Sequence, residues 1–157
     1  MLKKTEMMIL SELRNNSRES LTRMSRKTSI PISTIYEKMK RYEGDIIKKY
    51  TMIIDFAKLG FNTKATILVR VPKEYRDNLK DYLIHNKFVN NLDKINNGYD
   101  FIIDGVFREL KDVECFLEKL ENEFNVTDKY VYYVIDELKK EGFMSSPDYV
   151  KISGDFI

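Results

Sequence analysis

The 157-residue chain is 43% apolar and 33% charged, the balance of a globular protein able to bury roughly 70% of its unfolded surface in one domain or two small ones. It has no run of about 18 apolar residues to span a bilayer, and its start, MLKKTEMMIL, lacks a signal peptide's apolar region and small-residue cleavage site, so a cytoplasmic protein without a membrane partner is expected. A lone Cys115 and a sole histidine, His85, far apart in sequence, exclude an internal disulfide and give no metal-ligand spacing; no metal and no cofactor are expected.

The net charge of +2 conceals an asymmetry. Residues 1–50 hold 12 Lys+Arg against 6 Asp+Glu, and residues 51–157 hold 15 against 19. A basic first third joined to an acidic remainder suggests that one part faces a polyanion, although ordinary solvated faces produce such differences too.

Residues 1–50 read as three short helices. The first covers about Thr5 to Arg14, with Ile9, Leu10 and Leu13 inward, and stops in NNS, where Asn and Ser favour turns. Ser20 suits the N-cap of a second helix with Leu21, Met24 and Thr28 inward. A turn at Ser29 and Ile30 leads to a third helix beginning near Pro31, whose missing N–H costs nothing in a first turn. On that helix Ile32, Ile35, Met39 and Tyr42 fall in one sector and form a buried stripe. Gly44 follows as a residue able to take left-handed dihedrals. Residues 51–63, within a β-leaning segment ending in FAKLGF, read as a hinge or linker strand.

From residue 64 to 137 the period changes. KATILVRV is β-rich, KEYRDNLKDYLIHN has a helical stripe of Tyr75, Leu79, Tyr82 and Leu83, and FVNNLDKI and YDFIIDGVF flank NNG as a hairpin. A helix with Leu110, Val113, Leu117, Leu120 and Phe124 inward follows, then a last strand in VTDKYVYYVID. The fold class is therefore α+β: an N-terminal helix-turn-helix joined to a ferredoxin-like βαββαβ domain. In the strands Tyr130, Tyr132 and Val134 lie opposite Val131, Tyr133 and Ile135, and Ile102 and Val106 lie opposite Phe101, Ile103 and Phe107. Both sheet faces are apolar, so something must cover the second, most simply the same sheet of another copy. Residues 138–157 form a tail whose SSP break and apolar end allow a further strand, an interface arm or disorder.

Several stretches in one order resemble the Lrp/AsnC family of transcription regulators: KKTEMMILSELRNNSR, IPISTIYEKMKRYEGDIIKKYTMIID, KLGF and YVYYVID. The likeness runs from about Leu2 to Ile135. It implies a winged or near-winged helix-turn-helix that binds double-stranded DNA, and a RAM-type, ACT-like domain for effector binding and oligomerisation. It also implies homodimers through the sheets, commonly octamers, and an amino acid or related small effector. On the third helix, Ser33, Thr34 and Glu37 are expected at base edges, since a major groove admits a helix and Glu can accept from a cytosine amino group. Tyr36, Lys38, Lys40, Arg41, Lys48 and Lys49 are expected at phosphates or sugars. Serine stands at position 29 where the family usually has glycine. In the hairpin, Asn97 stands in a glycine's place with Gly98 one later and Asp100 matching, so Asn97, Gly98 and Asp100 are the implied effector contacts, for an altered effector or none; a plain tight turn is the other reading.

Two other functions share parts of this pattern. Siroheme decarboxylases are similar in architecture, but they resemble a pattern with a histidine near the hairpin, where KINNGYDFII has none. An architectural protein that wraps DNA would use the same basic helices with little sequence preference.

Overall fold

The structure is a computed structural model that describes residues 3–146. It divides into a helical unit, residues 3–53 together with 138–146, and a sheet unit, Ile54–Glu137. No described helix is long and apolar enough to cross a membrane.

The helical unit contains α1 (Lys4–Asn15), α2 (Leu21–Thr28) and α3 (Ile32–Tyr42). Its small core joins Ile9, Leu13, Met24, Ile30 and Ile35, with Leu21, Met39 and Ile47 packed against it. Each helix is short, so its ends matter. Ser20 Oγ accepts from the Arg23 N–H at 3.2 Å and caps α2 as its position suggested. Ser29 ends α2 with φ +59°, the left-handed conformation that suits a glycine. Ile32, expected in the buried stripe, is 45% exposed, while Ile30 from the turn is buried in the core. After α3, Gly44 turns the chain at φ +81° and a single bridge pairs Glu43 with Ile47. A tight turn thus stands where a two-stranded wing would.

The β-leaning segment does not form a strand. Residues 48–62 hold one 3-10 turn, Ala57–Leu59, and Tyr50, Met52 and Ile53 are exposed. Propensity alone does not make a strand without a neighbouring ladder to pair with, and among the described residues no strand pairs with this segment.

In the sheet unit, β1 (Thr63–Arg70), α4 (Arg76–Ile84), β2 (Val89–Lys94), β3 (Phe101–Phe107), α5 (Leu110–Phe124) and β4 (Asp128–Tyr133) follow in the expected order. All strand pairs are antiparallel, in the order β2-β3-β1-β4. Alternation places Ala65, Ile67, Val69, Phe101, Ile103 and Phe107 against Leu79, Leu83, Val113, Phe116, Leu117 and Leu120 of the two helices. Phe107 packs its ring near Phe88 and Phe116 and lies where a side chain at position 105 would project, so that site requires glycine. Leu110, expected inward, begins α5 and is exposed, and Phe116 is buried instead.

The opposite sheet face carries half-buried Leu68, Ile102 and Val106. Beside them Tyr130 and Tyr132 are 54% and 57% exposed, their rings stacked at 6.4 Å. In register, Leu68 lies across from Ile102 and Tyr130, and Thr66 across from Asp104 and Tyr132. The Thr66 hydroxyl donates to Asp104 at 2.8 Å, which makes the centre of this face partly polar. Tyr133 belongs to the helix-covered side, where its hydroxyl reaches Glu114 of α5.

Within the helical unit, the guanidinium of Arg14 at the end of α1 donates to the carbonyls of Glu141 and Phe143 and pairs with the Glu141 carboxylate at 2.8 Å. The first part of the tail therefore returns to α1. The last eleven residues, including the SSP proline, lie outside the described residues.

Candidate nucleic-acid interface

The turn between α2 and α3 is fixed by local hydrogen bonds that its sequence supplies. The Ser25 hydroxyl donates to the Ile30 carbonyl at 2.6 Å, and the Thr28 hydroxyl donates back to Met24 O at 2.8 Å. Ile35 and Tyr42 on α3 are fully buried and Met39 is half-buried. This sets the rotation of α3 about its axis, so Ser33, Tyr36, Glu37, Lys40 and Arg41 are exposed and Thr34 is half-buried. The Lys40 ammonium lies 5.2 Å from the Tyr36 ring centroid. Its pKa is raised, first by its hydrogen bond with the Tyr36 hydroxyl.

The expected phosphate contacts differ in their surroundings. Lys48 and Lys49 are exposed beyond the turn that follows α3. Lys38 and Arg41 are instead drawn to one carboxylate of α1: Glu6 Oε1 accepts Lys38 Nζ at 2.5 Å and Arg41 Nη2 at 2.6 Å. Glu6 Oε2 accepts the Lys3 backbone N–H at 2.7 Å, the half of a capping box that an acidic third residue supplies at the start of α1. Glu6 is 4% exposed, and its carboxyl is held at about 2, first by the Lys38 hydrogen bond, then by the Lys3 N–H and the Tyr42 hydroxyl. Sequence reasoning did not single out Glu6. An acidic residue on the inner side of a predicted helix, with cations elsewhere to receive it, was the available signal.

A second charge cluster ties α2 to α1. Lys27 Nζ reaches Glu19 at 2.7 Å and Glu12 at 2.9 Å, and Arg23 pairs with Glu19. The Glu19 pKa is lowered, first by Lys27. Five of the twelve Lys and Arg residues in 1–50, namely Arg14, Arg23, Lys27, Lys38 and Arg41, therefore pair with carboxylates of this unit, which composition could not reveal.

At the hairpin, Asn97 and Gly98 take φ of +64° and +97°, two successive left-handed residues within the connection between Lys94 and Phe101. Arg70 Nε donates to the Gly98 carbonyl, and its guanidinium sits 5.3 Å from the Tyr99 ring centroid. A side chain at Gly98 would meet Arg70 at 2.9 Å. Asp100 is buried, with Oδ2 accepting the Val71 N–H at 2.9 Å and Oδ1 paired with Arg76 Nε at 2.8 Å. Both of its oxygens serve to join β3, the end of β1 and the start of α4. A separate shallow cavity of about 320 Å³ lies among Tyr82, Asn86, Phe88, Asp112, Phe116 and Lys119, and none of the three predicted effector residues lines it. His85 is exposed and within 2.8 Å of the Asp81 carbonyl. No cluster of metal-ligating side chains occurs among the described residues.

No protein-family model matches the chain. Two uncharacterized HTH-type transcriptional regulators of Pyrococcus furiosus are similar to it. One is 38% identical over 71 residues, a match covering 45% of this chain and 47% of that protein. The other is 26% identical over 140 residues, covering 88% of this chain and 94% of its own. Against the first the match spans about half the relative's length; against the second it spans nearly all of it. Among solved structures, LrpC of B. subtilis superposes with a TM-score of 0.80 at 21% identity, covering 89% of this chain and 99% of its own. A transcriptional regulator of Neisseria meningitidis in complex with L-Met superposes with a TM-score of 0.81 at 19% identity, covering 89% and 94%. The resemblance to Lrp/AsnC regulators read from the sequence therefore stands in the fold, and the chain is similar to HTH-type transcriptional regulators over most of its length.

Proposed function

We propose that this chain is a DNA-binding transcription regulator of Lrp/AsnC type, homo-oligomeric and gated by an amino acid or related small effector. The observation that carries the DNA reading is the division of α3 into a buried side, Ile35 and Tyr42, and an outward polar side with Ser33, Glu37 and Lys40. A helix so held can enter a major groove while the basic residues around it meet phosphates. Ser33, Thr34 and Glu37 are its base readers; Tyr36, Lys40, Arg41, Lys48 and Lys49 position it on the backbone, while Lys38, expected there too, is held by Glu6 of α1. The domain division follows the sequence reading: DNA binding within 1–50, a linker over 51–63, effector binding and oligomerisation over 64–137, and the tail 138–157.

The assembly is a homodimer formed through the sheet faces, and dimers associate further, to an octamer in the family pattern. Leu68, Ile102, Val106, Tyr130 and Tyr132 supply the apolar surface, and burying such a patch against its own copy satisfies two-fold symmetry. The effector meets the hairpin at Asn97 and Gly98, close to Arg70 and Tyr99, with Asp100 bracing the turn. It acts through unequal affinity for two assembled forms. The protein works in the cytoplasm and is not an enzyme: the hairpin stretch has no imidazole, and the sole histidine is an exposed residue at the end of α4.

Selection of bound duplexes from a random pool, with and without a panel of amino acids, tests this reading. The expected result is a defined half-site pair spaced by about one helical turn and an affinity that changes with one amino acid. Uniform binding without an enriched sequence would make the protein a DNA-wrapping one, and tetrapyrrole binding without DNA binding would make it an enzyme of the same architecture. Leu68→Glu is expected to convert the assembly to smaller species in light scattering; an unchanged mass places the interface elsewhere.

A further inference from the structure

We propose that Glu6 is a specificity-determining residue of the DNA interface: a fixed anion that neutralises cations of α3, so that the helix discriminates between sequences instead of adhering to any duplex. This inference rests on the regulator reading above.

The geometry leaves Glu6 no freedom to turn away. Oε1 is shared by Lys38 Nζ at 2.5 Å and Arg41 Nη2 at 2.6 Å, and Oε2 is held by the Lys3 N–H at 2.7 Å. Its side chain is 6% exposed, too enclosed for water to replace these donors. The depressed carboxyl, at about 2, keeps the negative charge present throughout the neutral range.

The two cations respond differently because they are exposed differently. The Lys38 side chain is 25% exposed and commits its single ammonium to Glu6. The Arg41 side chain is 61% exposed. With one nitrogen on Glu6 and the Tyr42 hydroxyl at 3.3 Å, it keeps its other N–H groups for a phosphate in a direction already fixed. One fewer phosphate is neutralised as a result. Sequence-independent affinity grows with each neutralised phosphate, which contributes a slope of about −0.9 in log K against log salt. A helix with Lys38 withheld therefore depends more on Ser33, Thr34 and Glu37 at the base edges. A carboxylate that merely braced α1 against α3 would stabilise the fold without altering this balance.

The test compares the whole wild-type chain with Glu6→Gln, Lys38→Met and the Glu6→Gln/Lys38→Met double variant. Binding to the selected operator and to random duplex is titrated with salt, and circular dichroism reports helix content. For Glu6→Gln the random-duplex slope is expected to steepen by about one unit, which at 0.1 M salt raises that affinity roughly eightfold. Operator affinity rises less, so the ratio of operator to random binding falls. The double variant returns to the wild-type slope. Lys38→Met alone makes the slope shallower, because Glu6 then bears on Arg41 alone; comparing the double variant with Lys38→Met decides the matter even if Glu6→Gln alone fails to fold. A double variant whose slope stays as shallow as that of Lys38→Met, or a folded Glu6→Gln with unchanged slope and ratio, overturns the proposal and leaves the regulator reading intact. A wild-type chain that binds no duplex at all overturns both.

Discussion

The two units of this chain solve the problem of stability with different means. The sheet unit buries thirteen residues in one apolar cluster between its sheet and two helices. The helical unit has five residues in its core and compensates with a capped helix and with ion pairs between helices, Glu6 with Lys38 and Arg41 and Glu12 with Lys27. Apolar burial scales with area and involves no ionisable group, whereas charge networks are screened by salt and titrate with pH. The helical unit, proposed to meet DNA, is thus also the one whose stability depends more on its ionic surroundings.

The largest effect should come from the larger core. Phe107→Ala removes a fully buried ring packed near Phe88 and Phe116, at a cost of about 3–5 kcal/mol. Hydrogen exchange measured segment by segment should show β1, β3 and α5 losing protection together. Loss confined to the β3 strand would mean that the sheet unit is not one cooperative body.

A smaller but functionally sharper effect is expected from Met24→Ala. Met24 is fully buried at the centre of the helical core, and its truncation should cost about 2–4 kcal/mol. With few neighbours to take up the strain, α1, α2 and α3 should lose exchange protection and DNA binding together, while the sheet unit keeps its protection. Equal loss in both units would refute the contrast drawn here.

Much of this was legible in the sequence because it depends on periodicity. The βαββαβ order, the cap at Ser20 and the inward residues of the sheet unit follow from spacing and turn chemistry. The misses share one cause, which is that tertiary neighbours decide them. Ile32 and Leu110 carry the right period but are the first residues of their helices, and they remain exposed. Residues 48–55 have strand-forming side chains without a strand beside them. The charges of the interface were legible as types, but not their engagement: Lys38 and Arg41 look free on a helical wheel and are held by Glu6 from a helix about thirty residues earlier.

Acid should distinguish the units next. The carboxyl of Glu6 is lowered from 4.5 to about 2 in the folded chain, and that of Glu19 is lowered as well. A depressed carboxylate contributes stability that is fully present above the unfolded value and is lost as pH falls through the folded one. The helical unit should therefore weaken progressively from about pH 4.5 toward pH 2. Glu6→Gln should flatten that dependence, as read by urea midpoints at a series of pH values. An identical pH slope in the variant would show that other groups govern acid sensitivity.

The smallest effect concerns the turn before α3. Ser29 holds φ +59°, where a side chain costs roughly 1 kcal/mol or more relative to glycine. Glycine loses more backbone freedom on folding, about 0.4–1 kcal/mol. The difference leaves Ser29→Gly stabilising by about 0.5 kcal/mol, confined to the helical unit and visible as a small rise in its urea midpoint. The Ser29 side chain makes no hydrogen bond among the described residues that would offset this gain, unlike its neighbours Ser25 and Thr28, which hold the turn together. A destabilised variant would mean that the left-handed turn is favoured by serine itself, and that rigidity at this point, where α3 is aimed, outweighs the strain.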